Sequence, residues 1–479
     1  MSKRSLETIS IEKENDNFHF FYITLISLVA ALGSFLFGYD WVVIGGAKPF
    51  YEAYFGLTTS FEIGWAMSNA LVGTLIGAAL SGLITDKYGR KKVLIISGVL
   101  FTVSAISTAL SETFSMFVWA RMFGGIGIGL ASSVAPMYIA EISPSKHRGK
   151  LVSINQLMIV IGILAAQISN WIIADSVAND ATANHILQSW NGQYGWRWMF
   201  GIESAPAILF FLLAFIIPES PRWLIKESRY NQAQQVLKMI GGNDYAKHKQ
   251  KEIKQTLQQQ VSAVQVRELW KPALLPMLII GIGLAVFQQW SGINVIFNYA
   301  DEVFTNAGYG ISDMLFNIVL TGTANLVFTL VAMRTIDNWG RKNLMLLGSA
   351  ALTVIYFLLA FFYYHQILGI HMLILVVLAI TFYALSLAPV TWVIISEIFP
   401  NRVRGPAMAV SVFSLWTASF ILTYTFPILK DHLGDGTKGI ALTFGLYGLI
   451  CLAGLILIYR YLPETKGKSL EELEKELIE

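Results

Sequence analysis

The chain has 479 residues, of which 55% are hydrophobic and only 14% charged, with a mean hydropathy of +0.57. A soluble chain carries about 25% charged residues, so an ordinary cytosolic enzyme is excluded, as are disordered and fibrous classes. The net charge of +3 is too small to argue for a nucleic-acid partner, and Cys451, the single cysteine, reads as a packing residue in apolar surroundings.

Residues 1–19 form a polar tail of mixed charge, read as a retained cytoplasmic segment because the apolar run after it is too long for a secretory signal. Crossing ~30 Å of hydrocarbon takes about twenty helical residues. Runs of that length recur at 20–46, 62–86, 93–111, 114–141, 149–175 and 198–217 (spans 1–6), and again at 272–300, 311–337, 343–365, 370–399, 404–430 and 439–461 (spans 7–12). The fold class expected is therefore an all-α membrane protein of twelve transmembrane helices.

The basic residues test that count. With both termini inside, 29 Lys and Arg fall in cytoplasmic segments, whereas four, Lys48, Arg197, Lys430 and Lys438, fall outside. The interval 218–271 is rich in Lys, Glu and Gln and reads as short amphipathic helices on the cytoplasmic side. It joins two six-helix bundles, 20–217 and 272–461, with a cytoplasmic tail at 462–479.

The halves repeat. Asp86-Lys-Tyr-Gly89-Arg90 is echoed by Asp337-Asn-Trp-Gly340-Arg341 at an offset of 251, and Glu141…Arg148-Gly149 by Glu397…Arg404-Gly405 at 256. Pro218-Glu219-Ser220 is echoed by Pro463-Glu464-Thr465 at 245. Such duplication supports two pseudo-symmetric bundles around a cavity near the midplane. Arginine offers a rigid fork for carboxylates, so Asp86, Arg90, Glu141, Arg148, Asp337, Arg341, Glu397 and Arg404 are expected to form a cytoplasmic latch that favours the outward-open state when closed. The plainer alternative is that these are topology signals and solvated loop charges.

Charges inside hydrocarbon cost roughly 2.5 to 3.5 kcal/mol each, and few are present. Asp40, Arg121 and Glu203 fall at similar depth, roughly 8 to 11 Å below the outer surface, and can meet. Asp40 beside Arg121 is ionised while paired and takes a proton when the arginine is withdrawn, which makes a proton-coupling switch. A permanent structural ion pair is the alternative.

The second half supplies polarity without charge. Gln288, Gln289 and Asn294 lie within seven residues of span 7, span 8 carries Asn325, span 5 carries Asn155-Gln156, and span 10 carries Pro389 before Trp392. Amides donate and accept as hydroxyls do, and an aromatic face stacks on a pyranose, so a neutral polyhydroxyl substrate fits better than an ion. Gly292 and Pro389 are expected to loosen spans 7 and 10. Gly125-Ile-Gly127-Ile-Gly129 lies inside span 4 and reads as close helix packing rather than a nucleotide loop. No metal-ligand spacing, nucleophile with a base or cofactor motif is visible.

These residues resemble the sugar porter family of the major facilitator superfamily over 20–470. The resemblance is carried by Phe37-Gly38-Tyr39-Asp40, Asp86 to Arg90, Arg121 with Gly124-Gly125, Tyr138 to Glu141, Arg148-Gly149, Asn155-Gln156, Pro218 to Arg222, Gln288 to Asn294, Trp392, Glu397, Arg404, Trp416 and Pro463 to Lys466. It implies alternating access, with sugar contacts at Gln156, Gln288, Gln289, Asn294, Asn325, Trp392 and Trp416. In the bacterial proton-coupled xylose porters of the family, which span 1 resembles most, the position of Asp40 accepts the proton and that of Arg121 partners it; glucose facilitators carry Asn there. The chain departs from the family at Ile163, Leu415 and Asn298-Tyr299, which leaves pentose, hexose and polyol open.

The expectation is thus a monomeric proton–monosaccharide symporter in the lipid bilayer of a cell membrane, without cofactor and not an enzyme. An uncoupled facilitator and a non-transporting sugar receptor are the rivals.

Overall fold

Among the described residues, twelve helices are long and apolar enough to cross a membrane. They are Phe20–Phe55, Ser60–Tyr88, Arg90–Ala109, Phe114–Ile142, Ser145–Ile173 and Asn191–Ala214 in one half, then Leu275–Asn298, Ile311–Ile336, Arg341–Tyr364, Ile370–Glu397, Arg404–Leu433 and Thr437–Tyr461 in the other. The computed structural model describes residues 18–178, 182–259, 269–272, 274–400 and 403–466, and no strand occurs among them. Most of both expected tails, and the side chain of Asp337, lie outside the described residues.

Local chemistry sets many boundaries. Thr59 and Glu62 form a reciprocal capping box that starts span 2, and Thr113 accepts from the Met116 N–H to start span 4. Gly89 (φ 88°) and Gly340 (φ 86°) end spans 2 and 8 in the left-handed region, and spans 3 and 9 start at the next residue. Between the halves, Pro221–Lys226 and Tyr230–Gln259 are helical, the second bent at Gly241 and Gly242.

Span 1 differs from its expected length. The helix continues past Gly45-Gly46 to a left-handed cap at Gly56 and tolerates Pro49 inside it. Lys48, expected in an outer loop, is therefore helical and only 2% exposed. Its tolerance there comes from paired carboxylates, described below.

Packing follows the duplication. Span 1 lies on span 5 and span 2 on span 4, and span 7 on span 11 and span 8 on span 10 in the same way. The halves meet along two related seams, span 2 against span 11 and span 5 against span 8. At the span 2–span 4 contact, a side chain at Gly125 would strike the backbone of Ala70 and Thr74, and one at Gly129 that of Thr74 and Ala78. Small residues allow this approach, as expected for the glycine run.

Spans 7, 10 and 6 are each broken part-way along. Span 7 breaks at Ser291-Gly292 (Gly292 φ 84°), leaving a short helix at Ile293–Asn298. Span 10 breaks at Ser386, three residues before Pro389, whose missing N–H and ring disrupt the preceding turn. Span 6 is interrupted around Ile202-Glu203, ahead of Pro206.

Candidate functional site

Asp40, Arg121 and Glu203 converge inside the first half, each 2% exposed. The Arg121 guanidinium donates to Asp40 Oδ1, and its Nη2 donates to the Asp40 backbone carbonyl at 3.1 Å. The rigid fork thus grips one residue at two points, its side chain and its backbone. Its Cζ lies over the Phe200 ring, 5.3 Å from the centroid. The Glu203 carboxyl faces that of Asp40 at hydrogen-bonding range, while Asp40 Oδ2 has no N–H or O–H donor among the described residues. Gly124 packs beside the trio, where a methyl would strike the Ser104 side chain and come into ordinary contact with the Asp40 carboxylate. A cavity of about 20 Å³, lined by Trp41, Met67, Thr74, Arg121 and Asn298, lies beside the trio and touches both halves. That is room for about one water.

The expected sugar-contact residues divide into groups. Asn294 Nδ2 donates to Gln289 Oε1 (2.5 Å), Gln289 Nε2 to Gln288 Oε1 (3.4 Å), and Gln288 Nε2 to the carbonyls of Leu387 and Ala388 (both 3.1 Å). The three amides therefore form one chain running from the break in span 7 to the break in span 10. Asn325 is buried in span 8, Gln156 is half-buried in span 5, and Trp392 is 37% exposed. Trp416 is buried against Phe37 and Trp41, with ring centroids 5.6 Å from each, and its Nε1–H has no partner among the described residues. Asn155 differs from its neighbour Gln156: it accepts from Ser34 at 2.6 Å and ties span 5 to span 1.

At the end that carries the described termini, Arg90 makes a bidentate pair with Glu141 (2.8 Å twice), and Arg341 pairs with Glu397 (3.2 Å). Each pair lies within its own half, the first in 20–217 and the second in 272–461. Arg148 and Arg404 donate to nearby carbonyls, Ala140 at 3.1 Å and Phe399 at 3.5 Å, and Asp86 pairs with Lys226 at 3.1 Å. No ion pair among the described residues crosses between the halves at this end.

Four residues escaped the sequence reading as functional groups. Glu219 accepts from the backbone N–H of Arg90 (2.8 Å), Lys91 and Ser220, and Glu464 accepts from those of Arg341 (2.9 Å) and Lys342 (3.1 Å), so each caps the start of a span. Ser220 and Thr465 donate to Glu141 and Glu397. Their signal was the third sequence echo. Burial pushes the Glu219 carboxyl above the ordinary range, although the N–H donors oppose it. Gln167, in span 5 against Gly322 of span 8, was also missed; neither amide atom has a partner among the described residues.

The model of the family described as "Sugar (and other) transporter" matches residues 26–477. The chain is 36% identical to the arabinose–proton symporter of Bacillus subtilis over 456 residues, covering 95% of each chain. It is 36% identical to the D-xylose–proton symporter of Escherichia coli over 494 aligned positions, covering 96% of each. Among solved structures, the inward-open xylose transporter of E. coli matches with a TM-score of 0.81 at 36% identity, covering 95% of this chain and 99% of that one. The same proton:xylose symporter bound to 6-bromo-6-deoxy-D-glucose gives 0.77 at 36% identity, with the same coverage. The duplicated architecture and these matches identify a membrane transporter rather than an enzyme, and the chain belongs to the sugar transporter family of the major facilitator superfamily.

Proposed function

We propose that the chain is a proton-coupled monosaccharide symporter, with both termini cytoplasmic, Asp40 as proton carrier and Arg121 as its partner. The observation that carries this reading is the buried trio. One guanidinium faces two carboxyls, so the group is neutral only with one proton aboard, and an uncompensated buried charge is costly. Movement of span 4 against span 1 changes how strongly Arg121 holds Asp40, and so changes whether a proton is held. Sugar and proton then bias one two-state equilibrium. The names of the relatives, symporters of arabinose and xylose with protons, support the same reading.

The amide chain and the aromatic cluster of Phe37, Trp41 and Trp416 suit a neutral pentose or hexose, with Gln156, Gln288, Gln289, Asn294, Asn325, Trp392 and Trp416 as contacts. The higher TM-score against the inward-open relative supports an inward-facing conformation here. Latch pairs confined within each half fit that state, since a latch released between the halves leaves the inner side free.

Proteoliposomes test the reading. Addition of a transported pentose or hexose should alkalinise the outer medium, and Asp40→Asn should abolish uphill accumulation while leaving sugar exchange. Uptake that is independent of pH and moves no protons would leave a passive facilitator.

A further inference from the structure

Five charged side chains that the transport reading leaves unused meet at the end of the bundle opposite the described termini. Lys48, near the far end of span 1, donates to Asp301 Oδ2 (2.8 Å) and Glu302 Oε1 (2.9 Å), which follow span 7. Its ammonium also lies 3.3 Å from Glu52 Oε1, one turn further along span 1. The second oxygen of Glu302 accepts from Lys430 of span 11 at 2.7 Å, and Lys430 lies 3.5 Å from the half-exposed Asp431. Tyr299 sits beside the cluster, with its ring centroid 5.6 Å from the Lys48 ammonium. Lys48 thus ties the first half to the second, while Lys430 steadies its acceptor from within the second.

The backbones close at the same place. Gly45, one turn before Lys48, faces the carbonyls of Phe297 and Asn298 in the short helix after the span 7 break, and a side chain there would collide with them. At the opposite end, the ion pairs among described residues remain within each half. Among the described residues, ion pairing between the halves therefore occurs only at this end.

We propose that Lys48 with Asp301 and Glu302 forms an ionic outer gate, paired while the outer side is shut and parted when it opens. The gate rests on the sidedness proposed above. Charge counting gives it a signature. Leaving aside the half-exposed Asp431 beside Lys430, two ammoniums, Lys48 and Lys430, face three carboxylates, Glu52, Asp301 and Glu302. Removing Lys48 leaves three carboxylates against one ammonium and drives the halves apart, whereas neutralising Asp301 leaves two against two and keeps them together.

The test uses full-length protein in right-side-out vesicles, with Cys451→Ala and a reporter cysteine at the cavity position Met67. A membrane-impermeant thiol reagent is added outside. Lys48→Met should raise labelling about tenfold, in the range of typical coupling energies, while Lys48→Arg and Asp301→Asn should not. Gly45→Leu, which wedges the same seam without altering charge, should raise it too and shows that the reporter senses opening. The exchanged pair Lys48→Asp with Asp301→Lys should restore low labelling, and it replaces the single variant should that fail to reach the membrane. Unchanged labelling in Lys48→Met with Gly45→Leu responding overturns the gate. A rise seen only with reagent on the side holding an N-terminal tag keeps the gate and overturns the sidedness instead.

Discussion

Glu219 and Glu464 occupy equivalent places in the two halves, each set against the first backbone N–H groups of a span that starts just after a left-handed glycine. Glu219 caps span 3 behind Gly89, and Glu464 caps span 9 behind Gly340. A side chain on either glycine would run into the capping carboxylate, so the turn and the cap are one device. The Asp-x-x-Gly-Arg motif is thereby explained beyond its charge: glycine turns the chain, the next residue presents its N–H to the cap, and the arginine side chain reaches Glu141 or Glu397.

Replacing Glu219 or Glu464 with Gln should cost about 1 kcal/mol each, the usual scale for a lost helix cap. The measure is thermal stability of purified protein in detergent. The two losses should add, because the sites are in different halves and share no partner. A double variant much worse than the sum would mean that the caps act across the seam.

The amide chain gives a second expectation. Gln288 spends its NH₂ on the carbonyls of Leu387 and Ala388, beside the span 10 break, whereas Gln289 and Asn294 sit further along the chain. Gln289→Leu should therefore raise KM for sugar with little change in maximal rate. Gln288→Leu should lower the rate as well, since it releases two carbonyls that help join the broken helices. Counterflow kinetics separate the two, and equal effects on KM alone would reduce Gln288 to a contact residue.

Neutralising the latch gives a third. Glu397 is held by Arg341 and Thr465 in this conformation, and Arg404 rests on a carbonyl. Should they engage across the halves when the inner side shuts, Glu397→Gln or Arg404→Gln will favour the inward-open state. Labelling of an outer-cavity cysteine should then fall, and labelling equal to that of the parent would show that these charges serve topology alone.

Much of this was legible in the chain because a bilayer constrains sequence so heavily. Twelve runs, the basic-residue bias and three echoes at nearly one offset are direct consequences of spanning and duplication, and the breaks at Gly292 and near Pro389 follow from backbone chemistry. The meeting of Asp40, Arg121 and Glu203 was also readable, although the depth estimate assumed a span 1 that ended near residue 46. The helix continues because Lys48 finds carboxylates from a segment more than 250 residues away, and no local pattern reveals that. The caps at Glu219 and Glu464 were hidden for a similar reason: each acid lies far in sequence from the helix start it serves.

Glu203 supplies the last prediction. Its carboxyl faces Asp40 with Arg121 on the other side, so a hydrogen bond between the two acids exists only while a proton is shared. Glu203→Gln replaces that shared proton with an amide N–H that donates permanently. Asp40 then keeps a hydrogen-bond donor even when Arg121 is withdrawn. Coupling should weaken: sugar-driven alkalinisation and uphill accumulation should fall severalfold, while downhill exchange stays close to the parent. Glu203→Leu removes the donor altogether and separates the effects, because it should preserve more coupling than Gln despite its poorer chemical match. Both variants coupling as well as the parent would make Glu203 a packing residue and leave Asp40 and Arg121 as the whole of the switch.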